Sequence, residues 1–332
     1  MIVINAVSAV EGGALTVLSE FIESLSECAV CFCAVSPDEL PDRENVEYIF
    51  VGHQKSISRL TWDCYRFNQA LTSINIRPHV VYSLNNMAPI LKNYKSVQQI
   101  VFFHQAIPFS NFSASLFSSS FSMIFFYKRV YPLLVRAYDR ENVNYRVQAR
   151  WIKDSLSTLC GISQSRITVE RPRLGLSNVV PETPSWVHDV DFVYPASDFE
   201  YKNHLLLIAA AENLLRSEFP IRNRPVIALT LGEESWVFGL VKRKGVRDFF
   251  RFVGPQPRAS VLGAFASGCG LVFPSVVETV GLPLLEASHF GAKILVSDLA
   301  FSRETLAGRE EGCLFLNPEK PEEWALKLSE FS

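Results

Sequence analysis

The strongest constraint on the fold is an alternation of short apolar runs with helix-like segments, which occurs twice along the 332-residue chain. In the first half, runs rich in β-branched residues (MIVIN, AVCFCAV, HVVYSL, IVFFH) alternate with segments whose apolar residues recur at spacings of three and four. Leu15, Leu18, Ile22 and Leu25 illustrate that spacing. Strands that alternate with helices form parallel sheets with helices on their faces. We therefore expect an α/β fold.

A proline-rich break divides the two runs. The stretch RPRLGLSNVVPETPSW, residues 171–186, has no periodicity and reads as a linker. After it we predict strands in DFVYP, PVIALTL, RFVG, GLVFPS, AKILVSD and CLFLN, and helices near 203–216, 258–267 and 283–290. The pattern predicts two Rossmann-like, doubly wound domains, residues 1–175 and 188–332, that face a central cleft. Ligands of such sheets bind at the carboxyl ends of the strands.

Composition excludes several classes of protein. The chain has 32 basic and 34 acidic residues, so no overall attraction to nucleic acid is indicated. No uninterrupted apolar run reaches the roughly 18 residues that a spanning helix requires. The start, MIVINAV, lacks a basic leader, which argues against a signal peptide, and we expect a cytoplasmic protein. Cys28, Cys31 and Cys33 resemble a metal site, but no second pair at ligand spacing follows, and AVCFCAV is better explained as a buried strand.

Two glutamates mark the most informative stretch, VFPSVVETVGLPLLEASHFGAKILVSD at residues 272–298. Glu278 is predicted to lie in a loop after a strand, and Glu286 near the first turn of the next helix. Between them, Gly281 lets a ligand approach the backbone, and Pro283 suits a first helical turn. The free N–H groups of that helix start favour an anion such as a diphosphate.

Two carboxylates beside an anion site should repel the anion unless they bind other groups. Sugar hydroxyls are suitable, because carboxylates accept strongly from O–H donors. A nucleoside diphosphate-sugar combines ribose hydroxyls, an anionic bridge and hexose hydroxyls. The alternative is that Glu286 only complements the helix dipole and that Glu278 is a solvated loop residue.

The stretch FPSVVETVGLPLLEASHFGAKILVSD resembles the E-x7-E signature of the GT-B glycosyltransferases, in particular the retaining family 4. The resemblance extends more loosely to the adjacent glycines 12 and 13, to VFFH, to YRVQARWIKDSL and to PASDFEYKNHLLLIAA. It implies a GT-B fold and a nucleoside diphosphate-sugar donor, without a metal ion or other cofactor.

The resemblance also implies roles for individual residues of the second domain. Glu278 would contact hydroxyls of the transferred sugar and act in catalysis, and Glu286 would bind the ribose. Backbone N–H groups near Gly281 and Leu282, together with Lys202, would hold the diphosphate.

In the first domain, the resemblance implies that His104 lies beside the transferred sugar and the acceptor, and that Gly12 and Gly13 lie near the phosphates. From the residues alone, His104 could equally be a packed histidine at a strand end. One departure concerns an arginine that the family places about five residues before the lysine. YPASDFEYK contains none, so Lys202 would act alone or with a distant arginine such as Arg303.

Two further segments have alternative interpretations. DVD, residues 189–191, mimics a metal-binding D-x-D motif but lies at the end of the linker, and we interpret Asp189 and Asp191 as linker residues. Residues 110–138 are aromatic and serine-rich, then basic. They fit a loop and a core helix, or an element that contacts an acceptor or a membrane surface.

The function predicted from the resemblance is transfer of a sugar, with retention, from a nucleoside diphosphate-sugar to a glycan or lipid-linked glycan. The setting would be assembly of bacterial surface polysaccharide or O-antigen at the inner face of the cytoplasmic membrane. A nucleotide-sugar epimerase and a non-catalytic nucleotide-sugar-binding protein are the alternatives. An NAD oxidoreductase is disfavoured, because VEGGALTV lacks Gly-x-Gly-x-x-Gly.

Overall fold

The computed structural model describes residues 1–10, 12–52, 56–113, 121–172, 174–176, 179–216 and 224–331. The chain divides into two compact units. The first comprises Met1–Phe109 with Ser122–Pro172, and the second comprises Ser110–Phe121 with Arg173–Ser332. Each unit contains its own parallel sheet with helices on its faces, so the predicted pair of Rossmann-like domains is confirmed.

The first unit has a seven-stranded sheet in the order β3-β2-β1-β4-β5-β6-β7, and every pairing is parallel. Its strands are β1 (Ile2–Ala6), β2 (Ala29–Cys33), β3 (Val46–Phe50), β4 (Val80–Ser83), β5 (Gln98–Phe103), β6 (Val143–Val147) and β7 (Ile167–Val169). All five residues of β2 are buried, which confirms the interpretation of the cysteine-containing run as a core strand.

The helices of the first unit cover both faces of this sheet. They are α1 (Gly12–Glu23), α2 (Ser56–Thr61), α3 (Phe67–Ser73), α4 (Phe121–Phe125), α5 (Tyr131–Tyr138) and α6 (Arg150–Cys160). Single π-helical turns join α2 to α3 and α4 to α5. Alternate residues of β1 enter different cores: Ile4 packs in the cluster that contains Ile22, and Val3 in the cluster that contains Phe67. A strand that is buried on both faces explains the unbroken apolar sequence.

The second unit has a six-stranded parallel sheet in the order β10-β9-β8-β11-β12-β13. Its strands are β8 (Phe192–Tyr194), β9 (Ile227–Leu229), β10 (Phe250–Phe252), β11 (Gly270–Phe273), β12 (Ile294–Ser297) and β13 (Cys313–Leu316). Its helices are α7 (His204–Arg216), α8 (Trp236–Lys244), α9 (Arg258–Ala266), α10 (Leu282–His289), α11 (Ala300–Thr305) and α12 (Pro321–Phe331).

Helix α8 was not predicted from the sequence. Only Val237 and Val241 of this helix are buried, so its apolar periodicity is short. Its ends carry ordinary helix signals. The Ser235 hydroxyl accepts a hydrogen bond from the Phe238 N–H at 3.3 Å, and Gly245 adopts a left-handed conformation after the last turn.

The strand order reverses direction beside the first strand of each unit. β1 lies between β2 and β4, and β8 lies between β9 and β11. At such a point the two connections leave in opposite directions and open a crevice at the carboxyl ends of the strands. No helix within the described residues is both long enough and apolar enough to span a bilayer.

Candidate active site

In the second unit, the loops after β8 and β11 meet at the reversal of strand order. The Tyr201 carbonyl accepts from the Val276 N–H at 2.9 Å and from the Ser275 hydroxyl at 3.3 Å. Ser275 is fully buried. The Pro-Ser pair of the sequence signature therefore fixes one loop against the other, directly beside Lys202.

Lys202 and Glu278 form an ion pair across these two loops. Lys202 Nζ lies 2.6 Å from Glu278 Oε1, and both side chains are less than one fifth exposed. The Lys202 carbonyl accepts from the Tyr194 hydroxyl at 2.7 Å. Burial, and then the charge of Glu278, hold the pKa of Tyr194 well above its ordinary value, so this hydroxyl keeps its proton and remains a donor.

Gly281 directly precedes the start of α10 and adopts a left-handed conformation. The φ of Gly281 is +76°, and a Cβ there would lie 3.3 Å from Phe273 Cε1 and 3.2 Å from Leu284 Cδ1. Only glycine suits this backbone conformation beside a packed ring. The preceding Val280 carbonyl accepts from the Thr305 hydroxyl at 2.6 Å. α10 begins at Leu282, and Pro283 occupies its first turn, where proline costs no hydrogen bond.

Glu286 lies further along α10 than predicted. It is the fifth residue of the helix, beyond the first turn, because α10 starts at Leu282 rather than one or two residues later. Its side chain is 7% exposed and is paired with Arg258, whose Nε lies 2.6 Å from Glu286 Oε1. The alternative interpretation, a carboxylate that only complements the helix dipole, leaves out this ion pair. Glu286 is one member of a buried ion pair.

Arg258 is a residue that the sequence analysis missed. It begins α9, directly after the loop GPQP that follows β10, and its guanidinium also donates to the Leu174 carbonyl. The sequence signal that could have identified Arg258 was its position just after a loop that follows a strand. Its partner is 28 residues away and could be identified only from the strand order.

A cavity of about 540 Å³ lies at the carboxyl ends of β8, β9 and β10. It is lined by the loops after β8, β9 and β10, namely residues 195–198, 230–232, 234–235 and 255–256, and by Val261 of α9. Gln256 and Val261 flank Arg258 in the sequence, so the cavity lies next to the start of α9. Cavities of this size accommodate small organic ligands.

His204 supports the wall of this cavity. Its Nε2 lies 2.8 Å from the Ser197 carbonyl, so Nε2 carries the proton and donates. Burial lowers the pKa of His204 to about 4, with a smaller opposing effect from the Ser197 hydrogen bond. The imidazole is therefore neutral near pH 7 and acts as a fixed tether for the 195–198 loop.

In the first unit, His104 follows β5 and is held by Asn86 from the loop after β4. Asn86 Oδ1 accepts from the His104 N–H at 2.6 Å, and Asn86 Nδ2 lies 3.3 Å from His104 Nε2. The Asn86 carbonyl in turn accepts from the Tyr131 hydroxyl. His104 is half-buried, in the loop-exit position that the sequence predicted. Asn86 is a second polar residue that the sequence analysis did not single out.

Gly12 and Gly13 begin α1, after β1, at the carboxyl edge of the same sheet. A buried polar network stiffens this edge. Asp63 Oδ1 accepts from Asn5 Nδ2 at 2.7 Å and from Asn85 Nδ2 at 2.9 Å, which links β1 to the loop after β4. Satisfied buried networks of this kind rigidify the loops they connect.

The remaining candidate residues have other partners. Asp189 pairs with Arg251 at 2.7 Å, and Asp191 Oδ2 accepts from the Val226 N–H at 2.8 Å. Within the described chain, no three side chains of metal-ligating type cluster. Arg303 forms two hydrogen bonds with Asp298, at 2.6 and 2.8 Å, and stacks on Phe315.

Comparison with known proteins agrees with this architecture. The family model described as "Glycosyl transferases group 1" matches residues 185–332, which include Lys202, Arg258, Glu278 and Glu286. Two solved structures match over 99–100% of the chain and 89% of their own length, at TM-scores of 0.66–0.68.

The chain has the GT-B fold. One of the two matching structures is HepE of Anabaena in complex with UDP and glucose, at 14% identity, a TM-score of 0.68, and 99% and 89% coverage of the two chains. The other is WaaG, a glycosyltransferase involved in lipopolysaccharide biosynthesis, at 13% identity, a TM-score of 0.66, and 100% and 89% coverage.

The chain is also similar in sequence to a curated protein. The D-inositol 3-phosphate glycosyltransferase of Streptosporangium roseum is 24% identical over 215 residues, which are 60% of this chain and 48% of that protein. The chain thus spans about half the length of this relative.

Proposed function

We propose that this protein is a hexosyltransferase that uses a nucleoside diphosphate-sugar donor. One observation carries the proposal. At the strand-order reversal of the second unit, two carboxylates are each paired with a cation, Glu278 with Lys202 and Glu286 with Arg258. The helix start at Leu282 lies between the two carboxylates in sequence, and a cavity of about 540 Å³ is lined by Gln256, two residues before Arg258.

Each part of the donor has a matching element. The base enters the cavity between residues 195–198 and 230–232, and the ribose hydroxyls bind Glu286. The diphosphate lies at the N–H groups of Gly281 and Leu282, where the helix start favours an anion. Lys202 adds a formal positive charge, and Glu278 accepts from hydroxyls of the transferred sugar.

The ion pairs explain how carboxylates and a diphosphate share one site. Lys202 neutralises Glu278 before the donor binds, so the carboxylate need not be desolvated alone. Donor binding brings the diphosphate to the same ammonium group. As the bond between the anomeric carbon and the diphosphate breaks, the charge that develops on the leaving group is stabilised by Lys202 and by the helix start.

The acceptor hydroxyl oxygen takes the place of the diphosphate at the anomeric carbon, and we propose that it does so on the same face, with retention. The hydroxyl proton leaves with the diphosphate. His104, held by Asn86 at the carboxyl end of β5, is assigned to the transferred sugar and the acceptor. The protein's main contributions are then orientation and charge stabilisation.

For the acceptor we propose a glycan or a lipid-linked glycan of a bacterial surface polysaccharide, and the lipopolysaccharide role of WaaG supports this class. The segment from α4 to α5 supports contact with a membrane surface. Phe125 and Leu133 are 53% and 66% exposed, and Lys128 and Arg129 lie between them. Exposed apolar side chains interleaved with cations suit an anionic interface. Residues 114–120 of the predicted acceptor segment lie outside the described part of the chain.

A donor screen tests the proposal. Thermal unfolding is measured with UDP, GDP, ADP and dTDP and with their common sugars, in the presence of EDTA. A ligand at about 100 times its dissociation constant should stabilise the protein by roughly 2.7 kcal/mol. The stabilising donor is then incubated with oligosaccharide and lipid-linked acceptors, and the glycosylated product is detected by mass spectrometry.

The alternatives give different outcomes. A free sugar isomer formed without an acceptor would identify an epimerase. Tight donor binding without turnover on any acceptor would identify a binding protein. Loss of transfer on chelation, restored by Mg²⁺ or Mn²⁺, would assign a metal role to Asp189 and Asp191.

A further inference from the structure

One side-chain amide of the first unit contacts two atoms of the same residue. Asn86 Oδ1 accepts from the His104 backbone N–H at 2.6 Å, and Asn86 Nδ2 lies 3.3 Å from His104 Nε2. A backbone N–H can only donate, so the amide oxygen must be the atom that faces it. The amide nitrogen is then the atom that faces the imidazole ring, and it can only donate. Nε2 of His104 must therefore be the acceptor.

This contact fixes where the proton of His104 lies. A neutral imidazole carries one proton, and since Nε2 accepts, the proton is on Nδ1, which is buried. A proton on Nε2 would bring two N–H donors face to face. Turning the Asn86 amide by half a rotation would relieve that contact, but it would set the N–H2 group against the His104 backbone N–H. The amide thus selects one tautomer of the neutral ring.

Asn86 is itself held in place. It is 8% exposed, and its φ of +62° is a left-handed conformation that asparagine tolerates better than most residues. Its carbonyl accepts from the hydroxyl of Tyr131, the first residue of α5. The neighbouring Asn85 is tied to Asp63, whose Oδ1 accepts from Asn85 Nδ2 at 2.9 Å. The loop after β4 therefore presents the Asn86 amide to His104 in one orientation.

We propose that Asn86 is a positioning residue that holds His104 as the neutral Nδ1–H tautomer and keeps its ring from transferring a proton. Nε2 is occupied by the Asn86 amide and Nδ1 is buried, so neither nitrogen is available to take a proton from a substrate hydroxyl. Only the placement of His104 beside the transferred sugar rests on the proposed function. A ring held in this way leaves the acceptor proton to depart with the diphosphate, and it does not suit an epimerase, which needs proton transfer at the hexose.

Nitrogen NMR of the histidine side chains tests the tautomer without any substrate. The chain has six histidines, and His104→Gln identifies the resonances of His104 by their loss. At neutral pH the parent should show a protonated Nδ1 and an unprotonated Nε2. Asn86→Asp should place a proton on Nε2, because a carboxylate can only accept and would take hydrogen bonds from both the backbone N–H and the ring. Asn75→Asp is the matched control: Asn75 is an exposed asparagine of the same unit, also with a left-handed φ, of +53°, and its variant should keep the parent's tautomer.

Sugar transfer gives a second readout. Asn86→Asp should lower the transfer rate by about ten- to a hundredfold, because the ring beside the sugar changes its protonation and its contacts. Affinity for the bare nucleoside diphosphate, which is assigned to the second unit, should equal that of the parent, and circular dichroism confirms that each variant is folded. A protonated Nε2 in the parent at neutral pH would overturn the proposal, and so would the same tautomer in the parent and Asn86→Asp. The expected tautomers together with no transfer from any donor would support the role of Asn86 and count against the proposed function alone.

Discussion

Arg258 Nε lies 2.6 Å from Glu286 Oε1, and this contact joins the first residue of α9 to the fifth residue of α10. The carboxylate is 7% exposed and the guanidinium 36% exposed. A carboxylate buried to this degree requires a partner, because desolvation of an unpaired charge is costly. Arg258 thus supplies the partner that the buried Glu286 carboxylate requires.

Glu286→Gln should weaken binding of the bare nucleoside diphosphate by about ten- to a hundredfold. The change removes charge-assisted hydrogen bonds to ribose, which contribute about 1.5–3 kcal/mol. Glutamine is used as the substitute for Glu286 rather than alanine because it leaves the shape of α10 unchanged. Calorimetry with the nucleoside diphosphate measures the effect, and equal affinity in variant and parent would remove Glu286 from the donor site.

The same change tests the ion pair. Breaking a buried pair by removing one charge typically destabilises a protein by about 3–5 kcal/mol, and partial exposure of Arg258 should reduce this. Urea denaturation of Glu286→Gln and of the double variant Glu286→Gln, Arg258→Gln separates the effects. The double variant should be the more stable of the two, because no unpaired guanidinium remains.

Glu278→Gln should leave nucleoside diphosphate affinity close to that of the parent but lower the transfer rate by about ten- to a thousandfold. The reason is that Glu278 is assigned to hydroxyls of the transferred sugar. Glu319→Gln, which changes an exposed carboxylate near α12, is the matched control and should transfer sugar at the rate of the parent. Turnover of Glu278→Gln within about threefold of the parent would contradict the assignment.

The fold was predictable from the sequence because its strands are buried on both faces and its helices have one apolar stripe. Val3 and Ile4, which enter different cores, show why β1 reads as an unbroken apolar run. Glu278 was identifiable because it lies in a loop after a strand, and Lys202 because PASDFEYKNHLLLIAA resembles the corresponding stretch of the family. Arg258 was not, since its contact with Glu286 depends on which strands are neighbours, and strand order is not encoded in periodicity. Helix α8 was missed because two buried valines do not establish a period, although Ser235 and Gly245 carried the signals for its ends.

The free energy of unfolding should fall as the pH is lowered from about 6.5 to about 4, in part because of His204. Burial lowers the pKa of His204 from 6.5 to about 4 in the folded chain. Between these values the unfolded state binds a proton that the folded state does not, so acid favours unfolding. The contribution is at most about 3 kcal/mol, is fully present above pH 6.5, and is lost as the pH approaches 4.

Urea denaturation at several pH values checks this expectation. His204→Gln should show a smaller loss of stability across the same window than the parent, whatever its stability at pH 7. His188→Gln, which changes an exposed histidine, should retain the parent's pH dependence. Identical pH dependence in His204→Gln and the parent would mean that His204 titrates normally in the folded protein.

Lys202→Met should weaken nucleoside diphosphate binding by about ten- to a hundredfold, because charge-assisted bonds to phosphate contribute about 1.5–3 kcal/mol. Binding of the nucleoside without phosphates should hardly change, since Lys202 is assigned to neither base nor ribose. Methionine keeps most of the apolar stem, but it leaves Glu278 without its partner, so thermal unfolding is recorded alongside calorimetry.

Arg303→Met is the matched control. Its guanidinium is held by two hydrogen bonds to Asp298 and should not contribute to diphosphate binding. If Lys202→Met is silent and Arg303→Met is not, the diphosphate lies nearer β12 than proposed. If both are silent, the helix start at Leu282 and other backbone N–H groups hold the anion without a side-chain cation, and the role of Lys202 is to neutralise Glu278 alone.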